Sequence, residues 1–263
     1  MLTRLTPVEF NKPTGSGRTR PAIVTCETPE GETIEVVAKF SAGCDLGVTS
    51  LAREVIAACL AADLDLPVPQ PFLLEISPDW AKVIPESGYQ DLVSRSSPVA
   101  FGSKFLGNQY AAWSSGARLL DGMVPVAAAA FVFDGIIQNP DRRRENPNCL
   151  VRGDEIRIID HELAFAHEQI LFWKPPWQLG GLNVMETPGF HIFRDALRNR
   201  NFDFGQIRTA WRSLSDERLR AYGTAVPEEW SNAGAEIESA LALIREARDN
   251  IDGCIAEARR VLE

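Results

Sequence analysis

Between Gln138 and Phe165 the chain reads QNPDRRRENPNCLVRGDEIRIIDHELAF, a polar loop followed by two short strands that end in a second acid. This ordering of acid, amide, β-pair and acid constrains the fold most, because it has chemical meaning only where the loop and the second acid face one cleft. Asp141, then Asn146 or Asn148, then Asp160 are the residue types that phosphoryl transfer requires. The first is a base or orienter for an attacking hydroxyl, and the others are oxygen ligands for magnesium.

Composition narrows the alternatives. A chain of 263 residues with 45% hydrophobic content buries a large core and suits one large domain or two lobes sharing a cleft. The 27 Lys+Arg against 36 Asp+Glu leave a net charge of −9, which gives no basic field for duplex DNA, so direct DNA binding is not expected. Five widely spread cysteines without a CxxC pair indicate neither a disulfide framework nor a zinc site and fit a reducing compartment. The N-terminal stretch lacks the apolar core of a signal peptide, and the most apolar segment, 124–133, is too short to span a bilayer. A cytoplasmic protein is expected, and its oligomeric state is not readable.

Periodicity supplies the elements. Residues 20–27 and 33–40 are rich in β-branched positions around Pro29-Glu30-Gly31 and read as an antiparallel hairpin, with Lys39 at the end of its second strand. A helix is expected from Ser50, as N-cap, to Leu66-Pro67, with Leu51, Val55, Ala58 and Cys59 on one face and Glu54 in its first two turns. Residues 71–76 and 97–101 read as short strands. The run Phe101-Gly102-Ser103-Lys104-Phe105 reads as a crossing between lobes, with Phe101 and Ser103 placed beside a nucleotide. Pro125 opens a buried helix through Ile137 that delivers the polar loop. Helical spacing then recurs at 191–199, 206–222 and 233–262.

This β-first, α-second order places three further pieces where a nucleotide site needs them. Gly15-Ser16-Gly17 forms a glycine-rich turn whose backbone N–H groups suit phosphate, although no GK[ST] follows and these residues alone favour a plain flexible turn. Lys39 suits the α- and β-phosphates, and Glu54, fifteen positions later, suits holding that lysine. Arg143, two residues after Asp141, suits neutralising a transferred phosphoryl; a run of three arginines at 142–144 is otherwise a solvated loop. His161 reads as an orienter of Asp160, and Glu162 as a weaker candidate for metal. Phe172, Trp173, Trp177 and Phe190 read as packing aromatics.

The runs AKFSAG, LAREVIAACLAADLDLPVPQP, FDGIIQNPDRRRENPN and IRIIDHELAF together resemble the HipA-like kinase family, distant relatives of the protein kinases and of the phosphatidylinositol 3- and 4-kinases. The resemblance covers about residues 8 to 170. It implies a bilobal kinase fold with ATP and Mg2+ between the lobes, Lys39 on the nucleotide phosphates, Asp141 as catalytic aspartate, an asparagine shortly after it on metal, and Asp160 as the second metal ligand. Five-residue spacing from Asp141 selects Asn146, whereas the position directly before the strand CLV selects Asn148.

The expected fold is therefore α+β and bilobal, with a β-rich nucleotide-binding lobe over 1–102 and an α-helical catalytic lobe over 103–263. The expected function is transfer of the γ-phosphoryl of Mg-ATP to a hydroxyl acceptor, a protein serine or threonine among the candidates. A nucleotide-binding pseudokinase and a nucleotidyl transferase on the same fold are the alternatives. No membrane association is expected.

Overall fold

Five strands of the N-terminal part are β1 (Arg4–Pro13), β2 (Ala22–Glu27), β3 (Thr33–Lys39), β4 (Pro71–Glu75) and β5 (Val99–Lys104). In a computed structural model of the protein, which describes residues 2–15, 17–114, 116–198 and 200–263, they close into a barrel in the order β1-β2-β3-β5-β4. All pairings are antiparallel except β1 with β4. Helix α1 (Val48–Asp63) connects β3 to β4, and α2 (Pro78–Lys82) and α3 (Ser87–Ser94) connect β4 to β5.

Strand alternation divides the barrel's side chains between two environments. Phe72, Leu74 and Ala100 join Val36 and Ala38 inside the barrel, while Leu73 and its cross-strand partner Phe101 turn outward into the second, larger core. That second core holds α1, α4 (Val124–Ile136) and the C-terminal helices. These are α5 (Arg194–Leu197), α6 (Gly205–Ser213), α7 (Asp216–Ala225), α8 (Gly234–Asp249) and α9 (Ile251–Leu262). A small sheet of β6 (Ala111–Ala112), β7 (Cys149–Arg152) and β8 (Glu155–Ile158) completes the α+β fold. No described helix is long and apolar enough to cross a membrane, and all five cysteines are free.

Several elements differ from the sequence expectation. β1 is an addition: only Leu5, Pro7 and Phe10 turn inward, and the register shifts twice, so the two-residue period that betrays a strand is broken. Helix α1 starts at Val48 behind Gly47, and Ser50 lies inside it with its hydroxyl buried and unpartnered. The expected helix over 206–222 breaks before Ser215, whose Oγ caps α7 by accepting from the Arg218 N–H at 3.1 Å. The expected helix over 233–262 breaks at Asn250, and that over 191–199 shrinks to a single turn.

Helix α1 packs on both sides. One flank meets β4 and β5, and the other meets α7, α8 and the turn at 228–233. Its last residue, Asp63, accepts from the Arg218 guanidinium and from Tyr222 Oη at 2.6 Å, while Trp230 donates its indole N–H to the Val99 carbonyl at 3.1 Å. The barrel end that carries Lys39 is thereby fixed against the helices.

Candidate active site

Lys39 is the last residue of β3, opposite Phe101 of β5, so it projects from the barrel face that meets the helical core. Its ammonium has three protons to donate, and all three are used. Nζ lies 2.6 Å from Asp160 Oδ1, 3.1 Å from Glu54 Oε2 and 3.1 Å from Glu162 Oε2. Burial by itself would lower the Lys39 pKa; the charges of Asp160, Glu54 and Glu162 outweigh it and raise the pKa well above the ordinary value. Glu54 sits in the second turn of α1 and also accepts the backbone N–H of His161 at 2.8 Å. Its pKa falls to about 2, since Lys39 and His161 together overcome the desolvation that would raise it. Glu162 shifts the other way: burial and the neighbouring charges of Asp160 and Glu54 raise its pKa against the pull of Lys39.

The loop that carries Asp141 is anchored on the last turn of α4. Asn139 donates Nδ2 to Asp134 Oδ1 at 2.8 Å and its Oδ1 accepts the Asp141 N–H at 3.2 Å. The Asp141 carboxylate then accepts from both candidate amides on one oxygen, Asn146 Nδ2 at 2.6 Å and Asn148 Nδ2 at 3.1 Å. Arg143 approaches its other oxygen at 3.5 Å and remains largely exposed. The two asparagines are not equivalent. Asn146 is exposed, whereas Asn148 is half-buried and holds its carbonyl on the Ile159 N–H at 3.0 Å, which extends the β7–β8 pairing to the residue before Asp160. Both Asn148 (φ 43°) and Asp160 (φ 62°) occupy the left-handed region, which Asn and Asp tolerate best among side-chain-bearing residues.

Arg142 is not a solvated loop arginine but fully buried. It donates Nε to Asp134 Oδ2 at 2.6 Å, Nη1 to the carbonyls of Asn148 and of Ile159, the latter at 3.1 Å, and Nη2 to His161 Nε2 at 2.9 Å. A guanidinium only donates, so His161 Nε2 is an acceptor and its ring proton sits on Nδ1, the atom 3.7 Å from Glu54 Oε1. Asp134 also meets His191 Nε2 at 3.0 Å. Desolvation pushes the Asp134 pKa up, and Arg142 and His191 more than reverse it, holding the carboxyl well below the usual range. A continuous buried chain, Asp134, Arg142, His161, Glu54, Lys39, thus joins the Asp141 loop to the Asp160 cluster.

The glycine turn joins β1 to β2. Pro13 pairs with Ala22, Ala22 with Ala38, and Ala38 with Gly102, so the turn, Lys39 and Phe101 lie at one end of the barrel. Ser16 lies outside the described residues. Gly17 has φ 111° and a Cβ there would meet the Pro21 ring at 2.9 Å, so only glycine fits; Gly15 has φ 41° and open space around it. Ser103 is one pair further along β5, opposite Val37 and Pro71. Phe172 is not a packing aromatic: it is 90% exposed on a turn held at φ 56°.

Carboxylate oxygens of Glu54, Asp160 and Glu162 lie within 4.8 Å of one another. An all-oxygen set of this kind fits the hard-cation chemistry of Mg2+. Sequence reading missed Asp134, Arg142 and His191 as a unit. The available signal was an aspartate inside the apolar run VPVAAAAFVFDGI, since a charge buried in such a helix needs a partner.

Sequence comparison matches residues 8–256 to the family described as HipA-like kinase. No curated protein matches the sequence. Among solved structures, that of the Helicobacter pylori proinflammatory kinase CtkA is similar over 100% of both chains, at 12% identity and a TM-score of 0.49.

Proposed function

The chain belongs to the HipA-like kinase family, and we propose that it transfers the γ-phosphoryl of Mg-ATP to a hydroxyl acceptor. One observation carries this reading: Lys39, Glu54, Asp141 and Asp160, from four separate segments, are tied into a single hydrogen-bonded assembly. A module that only binds nucleotide has little physical need for Asp141, whose carboxylate is oriented by two amides.

In this mechanism ATP lies between the β-rich part and the helical part, expected over 1–102 and 103–263; β5 carries the barrel on to Lys104, and α1 packs across the divide. The glycine turn and Lys39 hold the phosphates, and Phe101 and Ser103 line the nucleotide's side of the barrel. Lys39 reaches the nucleotide by giving up one or more of its three carboxylate bonds, and Glu54, buried and held by His161, is the partner it keeps. Asp141 orients the acceptor hydroxyl and takes its proton as the oxygen attacks in line. Asn146 and Asn148 fix the carboxylate for that task, and Arg143 balances charge on the transferred group. Mg2+, when bound, neutralises charge on the phosphates. Asp160, Glu162 and one loop asparagine would hold it. Spacing favours Asn146 for that role; attachment of Asn148 to the strand that ends at Asp160 favours Asn148, which we assign.

Binding is tested by thermal melting. Mg-ATP at about a hundredfold excess over its Kd stabilises the protein by about 2.7 kcal/mol, and metal-free ATP by less. A folded sample whose melting curve does not move at millimolar Mg-ATP contradicts the reading.

A further inference from the structure

Beside the Asp141 loop opens a cavity of about 470 Å³. Gln138, Asn139 and Pro140, which lead directly into Asp141, form one wall, and Trp173, Val184 and Phe190 stand among the residues of the other. Trp173 Nε1 donates to Gln138 Oε1 at 3.1 Å, which pins the far wall to the loop.

Several polar groups of the cavity are already engaged within the protein. Gln138 donates its amide to the Gly135 carbonyl at 2.6 Å, Asn139 is engaged by Asp134 and by the Asp141 N–H, and Asn183 Oδ1 accepts from Arg260 at 2.7 Å. What remains for a ligand is chiefly apolar wall, with one cation. Lys174 is exposed at the cavity and, among the described residues, pairs with no carboxylate. A small polar metabolite finds no set of convergent donors and acceptors here.

The rim extends the apolar surface beyond the cavity. Of the nine exposed large hydrophobic residues described, five lie between 170 and 184: Ile170, Leu171, Phe172, Leu179 and Val184. Phe172 is held outward in the left-handed region, a costly conformation for a bulky residue. Of the five, Ile170, Phe172 and Val184 line the cavity itself, and exposed apolar side chains gathered at a cavity favour contact with a macromolecule.

We propose that this cavity anchors a polypeptide acceptor: it takes a large apolar side chain flanking the residue whose hydroxyl faces Asp141, while an acidic residue of the same segment meets Lys174. The inference rests on the kinase reading for the identity of the occupant as acceptor. Its apolar and cationic features define the chemistry that is recognised.

The test uses fluorescein-labelled peptides centred on serine, with Leu, Ala, Glu or Lys placed in turn at each flanking position, and reads binding to the full chain by anisotropy. At one position Leu binds about tenfold or more tighter than Ala, as burial of a large side chain predicts. Val184→Glu abolishes that preference, and Lys174→Glu inverts the preference for Glu over Lys at a second position. Val184 is half exposed, so the substitution is tolerated in folding; Phe172→Ala serves as a second variant that weakens the Leu preference. A Leu preference that is absent, or unchanged in these variants, overturns the proposal. So does a concentration-dependent dimer or binding to anionic vesicles that the same substitutions abolish while no peptide is preferred. Melting with Mg-ATP on the same samples separates the two readings. A shift without peptide preference removes the anchor and keeps the kinase, whereas a preference without a shift keeps the peptide site and removes the kinase.

Discussion

Lys39 and Asp160, 121 residues apart in the chain, meet at 2.6 Å, and the same ammonium holds Glu54 and Glu162. One cation therefore faces three carboxylates in a largely buried site. The surplus of negative charge makes the cluster a candidate cation site, and Lys39 is the group whose charge offsets it.

Replacing that lysine exposes the surplus. Lys39→Met leaves three carboxylates facing one another and is expected to cost about 3–5 kcal/mol at pH 7, the range for breaking a buried ion pair. It also removes the response of the melting temperature to Mg-ATP. Urea melts with and without Mg-ATP check both parts, and a variant as stable as the wild type contradicts the arrangement.

Asp134 gives the fold an acid-sensitive point. Its carboxyl titrates well below the usual range in the folded protein, because Arg142 and His191 outweigh the desolvation. A depressed folded pKa contributes stability that is complete above the unfolded-state value of about 3.9 and is lost as pH falls through that value toward the folded one. The wild-type melting temperature should therefore fall steeply below about pH 4. Asp134→Asn should start lower at pH 7, since Arg142 is left buried without its charge partner, and then follow a flatter acid limb. Parallel curves for the two proteins contradict this.

Much of this arrangement is legible in the sequence, for definable reasons. β2 and β3 are β-branched runs around a turn, α1 shows helical spacing and α4 is a long apolar run opened by Pro125, and these features place Lys39, Glu54 and the Asp141 loop without knowledge of the tertiary fold. β1 escapes because two register shifts break its alternation, and the C-terminal breaks at Ser215 and Asn250 escape because helical spacing continues across them. Arg142 escapes for another reason. In the run Arg142-Arg143-Arg144 nothing local distinguishes the buried member from its exposed neighbours; the difference comes from Asp134 and His161, eight and nineteen positions away.

Asn146 and Asn148 differ in attachment, and that difference is measurable. Asn148→Gly keeps the left-handed backbone while deleting the amide, and it should raise the Mg2+ concentration needed for ATP-dependent stabilisation by about tenfold or more, the scale on which neighbouring groups tune a metal site. Asn146→Ala should change it by less than about threefold. A Mg2+ titration at fixed ATP decides, and the reverse order moves the metal assignment to Asn146.

Asp141 carries the central claim, and the products of ATP turnover test it most directly. Wild-type protein incubated with γ-labelled Mg-ATP should yield ADP together with label on a hydroxyl, on the protein itself or on an added serine peptide. Asp141→Asn should keep Mg-ATP affinity while losing about 10²–10⁴-fold in turnover, because its carboxylate acts on the attacking hydroxyl in the transition state. An AMP-linked product, no product from a protein that binds Mg-ATP, or wild-type turnover in Asp141→Asn would contradict the account.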